Sequence, residues 1–342
     1  MIGPRNLITD VPGIRVGNAH DERLGSGVTV ALFDEAAVAS GAVLGGAPGT
    51  RETDLLDPDK IAPGIHAVVL SGGSAFGLDA AGGVHAYLRE RGLGFEVGSA
   101  RVPLVPQAIV FDLLNGGDKD WGRYPPYREL GYEAAARARH DFVLGTAGGG
   151  YGATTVDLKG GLGSASTMTR SGYTVGALVV VNAIASAIIG EGPHFWAGAL
   201  EEGEEFGGLG LPARITPAMR KLAWKGAPST TIALIATDAV LTKAQAKRLA
   251  LASHGGLARA LRFAHALTDG DVVFAAATGR KPLADEVNDF IEVTALATDC
   301  LARAIARGVY EATALPYAPA WPAWRDRFAS RGTPVPAPAQ PQ

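Results

Sequence analysis

Three short apolar runs constrain this chain more than any other feature: "TVGALVVVNA" at 174–183, "TTIALIATDA" at 230–239 and "VVFAAATG" at 272–279. Each has the length of a strand and is rich in β-branched residues and alanine. They lack the regular polar alternation of a half-exposed strand, so they read as strands buried in a core. "AVVL" at 67–70 reads the same way. Strands gather in the middle of the chain and helical patterns toward its end, without strict strand–helix–strand alternation. The expected architecture is an α/β chain built as a layered sandwich, sheets covered by helices, and not a doubly wound parallel sheet. With 342 residues, 47% of them hydrophobic, the chain is long enough to bury a sizeable core.

Between these runs the sequence predicts a strand at 28–33, helices at 78–91 and 128–140, and a long helix at 283–312. "GATTVDLKGG" and "GSASTMTRSG" suit a hairpin with one face toward a site. Residues 191–226 turn polar and glycine-rich and are the best candidate for an exposed loop or linker. Thr242 is a reasonable N-cap for the first of two helices, which break at Gly255-Gly256. The tail "RGTPVPAPAQPQ" is low-complexity and expected to be disordered. The 46 glycines come in clusters between apolar elements, which points to close backbone approach, tight turns and bulges.

Several function classes fall away. A formal net charge of -3 offers no basic surface for nucleic acid or a membrane. Cys300 is the only cysteine and sits in an apolar-periodic stretch, where a thiol serves as a small core hydrophobe. The segment "MIGPRNLITDVPG" lacks a signal-peptide core, and no apolar run reaches transmembrane length, so a cytoplasmic protein is expected. There is no G-x-x-x-x-G-K-[ST] loop, and the glycine-rich "GGYGAT" and "GGLGSAS" lack dinucleotide-site spacing. Ser74 in "GGSAFG" misses the nucleophile elbow, because Phe76 stands where its second glycine belongs. The seven histidines show no metal spacing and read as surface or capping groups.

What remains is a hydroxyl nucleophile that needs no histidine. An N-terminal Thr or Ser can use its own α-amine as base, at a pKa of roughly 7.7–8. Such a residue must first be freed, by attack of its side-chain oxygen on the preceding carbonyl and hydrolysis of the resulting ester. "PSTTIALIAT" supplies hydroxyls at a turn leading into a rigid strand, with Pro228 constraining the approach. It equally suits an ordinary strand start. Asp269 and Asp271 flank Gly270 directly before a buried strand, where they read as a turn or as an acidic pair. Asn182 interrupts an apolar strand, as a hydrogen-bonded core amide or an oxyanion donor. Lys159 by itself reads as a solvated strand-end lysine.

In order along the chain, "LSGGSAFGLDAAGGV", "DLKGGLGSAS", "VVVNA", "TTIALIATDAVLTKAQAKRLA" and "DGDVVFAAATG" resemble the DmpA-type aminopeptidase family. Within it, the endo-type 6-aminohexanoate oligomer hydrolases look closest, and the resemblance spans residues 8–315. It implies a four-layer αββα sandwich resembling the N-terminal-nucleophile hydrolases, with different connectivity. It also implies a precursor cut into a larger and a smaller chain, assembled as a tetramer of such pairs. On this sequence it implies cleavage between Ser229 and Thr230, with Thr230 as nucleophile. Asp269 and Asp271 match the pair that orients the nucleophile and its amine, and the Asp pair favours the oligomer-hydrolase branch. Asn182 matches the oxyanion asparagine and Lys159 the active-site lysine, placed to lower neighbouring pKa values or to bind the acidic pair. Ser229 departs from the Asn of the oligomer hydrolases, which leaves the cut ambiguous by one residue.

The expected arrangement is one domain over 1–330, processed into 1–229 and 230–342, with 331–342 as a loose tail. The expected function is hydrolysis of amide bonds within linear oligoamides through an acyl-enzyme, with no metal or organic cofactor. Two alternatives stand beside it. One is aminopeptidase action on short peptides, D-amino-acid amides or β-peptides; it needs a group that captures the substrate amine, and Glu201, Glu202, Glu204 and Glu205 read instead as a solvated loop. The other is acyl transfer of the ornithine acetyltransferase type. The implied partners are a small oligoamide or peptide substrate and further copies of the chain.

Overall fold

The computed structural model of the chain describes residues 1–318 and 320–328, so the Pro/Ala/Gln tail at 331–342 lies outside the described residues. The backbone forms a nine-stranded sheet that serves as two facing halves, because one long strand, β2 (Ser26–Val43), belongs to both. Its first part pairs antiparallel with β1 (Ile14–Asp21) on one side and β4 (Ile65–Ser71) on the other. Asp34, Glu35 and Ala36 are exposed where the strand changes layer, and residues 38–43 then pair with β11 (Val272–Lys281). Beyond β4 the first half ends in β7 (Gln107–Ile109) and β3 (Thr50–Arg51). Beyond β11 the second half continues through β10 (Thr230–Ala239), β9 (Thr174–Asn182) and β8 (Gly161–Met168). β5 (Phe95–Val97) and β6 (Ala100–Val102) make a separate ribbon.

Helices α1 (Ala80–Glu90) and α2 (Tyr127–Ala136) cover the first half, while α3 (Lys243–Ala260) and α4 (Asn288–Tyr310) cover the second. One apolar cluster fills each of the spaces between successive layers, giving the α/β/β/α order expected. Strand periodicity sorts the side chains. On β10, Ile232, Leu234 and Ala236 point between the two halves, and Ala233 and Ile235 point toward α3 and α4. Both faces are buried, which is why these runs show no polar alternation. Full burial of a side chain such as Leu234 contributes about 1.5–3 kcal/mol.

Two local expectations change here. α3 runs unbroken through Gly255-Gly256, because Gly256 lies against α4, where a Cβ would come within 2.7 Å of the Thr298 carbonyl oxygen. The glycine serves helix–helix approach, not a break. Thr242 does cap this helix, accepting from Gln245 N at 3.2 Å. The expected hairpin is replaced by pairing of β8 with β9, and 152–160 folds as a loop closed by a bridge between Thr154 and Lys159. Gly163 of β8 lets α4 sit directly on the sheet, since a Cβ there would come within 1.9 Å of Ala304 O.

The stretch 191–226 is only partly an exposed loop. Phe195 and Phe206 are buried in the α4 core with Trp324 of the short helix α5 (Trp324–Phe328). The Glu205 side chain is shielded too, paired with Arg303 at 2.5 Å and with Arg307, so it is not solvated as its sequence neighbourhood suggested. Cys300 is fully buried, and burial pushes its thiol up to about 12, as fits a core residue. Among the described residues no helix is long and apolar enough to cross a membrane.

Candidate active site

The topology gathers the singled-out residues at one end of the second half-sheet. β10 runs parallel to β11 and antiparallel to β9, so the start of β10, the approach to β11 and the end of β9 coincide. Thr230 is the first residue of β10, Asn182 is the last of β9, and the two are register partners. Asp269, Gly270 and Asp271 lead into β11, and Ser229 forms a parallel bridge with Asp269.

The peptide before Thr230 is tied down on both sides. Ser229 N donates to Thr268 O at 3.2 Å, and Gly270 N donates to the Ser229 carbonyl oxygen at 2.9 Å. Thr230 Oγ1 lies 2.5 Å from that same oxygen, whereas Ser229 Oγ turns upstream and donates to Ala227 O at 3.2 Å. Both residues are buried. Gly270 is held to glycine by this approach, because a Cβ would come within 2.8 Å of Thr230 Oγ1 and 2.7 Å of Ala47 O.

The two aspartates differ. Asp271 Oδ1 accepts from Thr231 N at 2.8 Å, and its Oδ2 accepts from His265 N and Nδ1, both at 2.9 Å. Asp269 Oδ2 accepts from Ala266 N at 3.2 Å, while its Oδ1 is buried without a partner. Burial first, and the charge of Asp271 second, raise Asp269 to about 7. A buried carboxylate oxygen without a donor is unusual in a folded core.

Asn182 Nδ2 donates to Phe111 O at 3.0 Å, and its Oδ1 accepts from Thr154 N at 3.0 Å and Lys225 Nζ at 3.3 Å. Lys159 is buried and donates to Gly150 O and Gly160 O, each at 3.0 Å. Burial lowers it to about 7, and the carboxylate that counteracts this is Asp112. Lys159 makes no bond to Asp269 or Asp271, which corrects the expectation that it binds the acidic pair. The lysine whose charge acts on Asp269 is Lys225, which also donates to Thr154 O at 2.7 Å and is itself lowered to about 7 by burial.

A cavity of about 320 Å³ opens beside the Ala227-Pro228 stretch, with Phe111, Trp224 and Trp321 among its walls and Asp112, Thr154 and Lys225 also lining it. Asp112 is buried, accepts from Ser26 Oγ at 2.6 Å and Gly73 N at 2.7 Å, and is raised by burial. Asp112 and Lys225 escaped the sequence reading, and His265, read as a surface or capping group, instead donates to Asp271. Nothing local marks them: Asp112 follows an apolar run, Lys225 stands in the glycine-rich segment, and His265 has no second ligand at metal spacing.

Comparison with known proteins places the chain. Peptidase family S58 matches residues 6–318. A Mycobacterium tuberculosis protein named as an uncharacterized aminopeptidase is 43% identical, over 94% of this chain and 98% of its own length. A 6-aminohexanoate-oligomer endohydrolase of a Kocuria species is 27% identical, over 81% of this chain and 76% of its own. The solved L-aminopeptidase D-Ala-esterase/amidase of Ochrobactrum anthropi, described as a new variant among the Ntn hydrolase fold, superposes with a TM-score of 0.67. That match covers 93% of this chain and 90% of the other at 20% identity, a likeness of fold. With a sheet sandwich of that kind and strand ends converging on Thr230, this chain belongs to peptidase family S58, the DmpA-type family, and is a hydrolase of peptide or amide bonds.

Proposed function

We propose that the chain is made as a precursor that cleaves itself between Ser229 and Thr230, and that the freed Thr230 is the nucleophile of a hydrolase for short linear amides. One observation carries this reading: the Thr230 hydroxyl lies against the Ser229 carbonyl, whose oxygen already accepts from Gly270 N. In the first step Thr230 Oγ attacks the Ser229 carbonyl carbon, and the Gly270 N–H stabilises the oxyanion that forms. The C–N bond to Thr230 then breaks, the nitrogen takes up a proton, and an ester joins Ser229 to Thr230 Oγ. Water hydrolyses the ester, leaving a carboxylate on Ser229 and a free hydroxyl and amine on Thr230. The upstream turn of Ser229 Oγ supports Thr230 over Ser229 as the attacking group.

In turnover the α-amine of Thr230 takes the hydroxyl proton as Oγ attacks the substrate carbonyl, then returns it to the leaving amine. Asp269 Oδ1, buried without a donor, is suited to accept from that amine. The Asn182 amide has a second N–H beyond the one given to Phe111, available to the substrate oxyanion. Water then hydrolyses the acyl-enzyme.

The cavity supports substrates with an apolar body and a cationic end. Aromatic walls suit a methylene chain or side chain, and the buried Asp112 suits a free amine. Oligomers of 6-aminohexanoate and short peptides both satisfy this, so Asp112 favours the aminopeptidase alternative over purely internal cleavage. The processed protein should give two masses, one chain ending at Ser229 and one beginning at Thr230. Thr230→Ala should stay a single inactive chain, and an active enzyme that remains uncut would sink the reading. Equal cleavage of N-blocked and free-amine oligomers would point back to internal cleavage.

A further inference from the structure

Asp271 grips the start of β10, one residue after Thr230, through the Thr231 N–H. What grips Asp271 is His265, which gives both its backbone N–H and its Nδ1 to the other carboxylate oxygen at 2.9 Å. A carboxylate only accepts, so Nδ1 carries the proton. For both donors to meet one oxygen, His265 takes a left-handed backbone with φ 62°, a conformation that non-glycine residues keep only where the surroundings impose it.

The ring is held in turn. His254 of α3 stands edge-on to it, with centroids 4.8 Å apart at 69°, and hydrogen-bonds Ala42 O on β2 at 3.1 Å. Burial lowers His254 to about 4, so it packs as a neutral ring. The titratable groups facing His265 are thus Asp271 and His254, with Asp269 beyond Asp271. A chain of contacts links β2, α3, His265, Asp271 and Thr231, and ends one residue after Thr230.

Taking Thr230 as the nucleophile, and so resting on that reading, we propose that His265 is a positioning residue. By holding Asp271 Oδ2 it fixes Oδ1 on Thr231 N, and so sets where the hydroxyl and freed amine of Thr230 stand. It touches no substrate and acts only through Asp271. Displacement of a reacting atom by an ångström or less is enough to slow a reaction severely.

The test compares His265→Ala, His265→Asn and Thr230→Ala with the parent full-length chain. His265→Ala should slow self-cleavage and lower kcat about tenfold or more, with KM changed less than about twofold. His265→Asn returns a side-chain N–H to Asp271 and tolerates the left-handed backbone, so it should recover both rates to within about threefold. The kcat–pH profile of His265→Asn should keep the parent's shape, because the same carboxylate geometry is restored. His265→Ala cutting and turning over like the parent would overturn the inference. So would a His265→Asn variant that folds but recovers neither rate, which also covers an Ala variant that does not fold. If Thr230→Ala is itself cut and active, the nucleophile reading has failed. If Thr230→Ala is dead while His265→Ala is normal, only the positioning role has.

Discussion

Buried carboxylates stand at both ends of β10, and they are treated in opposite ways. At its far end Asp238 is fully buried; one oxygen accepts from Thr174 N at 2.8 Å, and the other, without an aligned hydrogen-bond donor, is neutralised by the Lys281 ammonium 2.9 Å away. At its near end Asp269 is as deeply buried, but one oxygen has no donor and the group is raised to about 7. The two ends of β10 therefore meet a neutralised anchor, Asp238 of the strand itself, and an open acceptor, Asp269 of the segment leading into β11. A fold that neutralises one buried carboxylate with a lysine leaves the other without an ion pair where an amine is proposed to appear, and unpaired buried charge is tolerated at sites that use it.

The largest expected effects break this comparison by exchanging roles. Asp269→Asn should lower kcat about a hundredfold or more, since the freed amine loses its charged acceptor, while the melting temperature holds or rises. Asp238→Asn should do the reverse: turnover unchanged, and stability lower by about 1–2 kcal/mol, moderated because Lys281 is half exposed. Steady-state rates and denaturant unfolding on the two variants decide it. If both lost stability alone, the open end would be only a poorly satisfied anchor.

A smaller effect sharpens it through pH. In the uncut Thr230→Ala protein, the folded pKa of Asp269 lies near 7, above its unfolded value of about 4. Between those values the folded state holds a proton that the unfolded state has lost, so its stability contribution is present below about 4 and is lost as pH rises through about 7. Adding Asp269→Asn should flatten that decline, read as a stability gap between the two proteins that widens from acid to neutral pH. The smallest effect concerns the cavity. Asp112→Asn should raise KM about tenfold for a free-amine substrate and leave an N-acetylated one unchanged, as measured by parallel kinetics.

The strand runs and their end groups were legible because they are local. An apolar run buried on both faces looks alike in sequence and structure, and a hydroxyl, an amide and paired aspartates beside such runs are visible where they stand. Glycines were harder. Gly255-Gly256 looks like a helix break, and only the presence of α4 against it turns the pair into a packing contact. The glycine-rich 152–161 segment looked like a strand, yet β9 takes β8 as its partner and leaves the rest as loop. Glu205 looked solvated because its partner Arg303 is 98 residues away.

Sequence by itself determined that this chain buries several two-faced strands under helices, and that Thr230, Asn182, Asp269 and Asp271 stand at their ends. Only the tertiary structure decided which carboxylate oxygen is left open, that Lys225 and not Lys159 acts on Asp269, and that Asp112 and His265 stand at the site at all. The physical reason is one of range. Burial patterns are written every second residue along a strand, whereas a hydrogen bond or a desolvated charge depends on partners that the chain brings together from far apart.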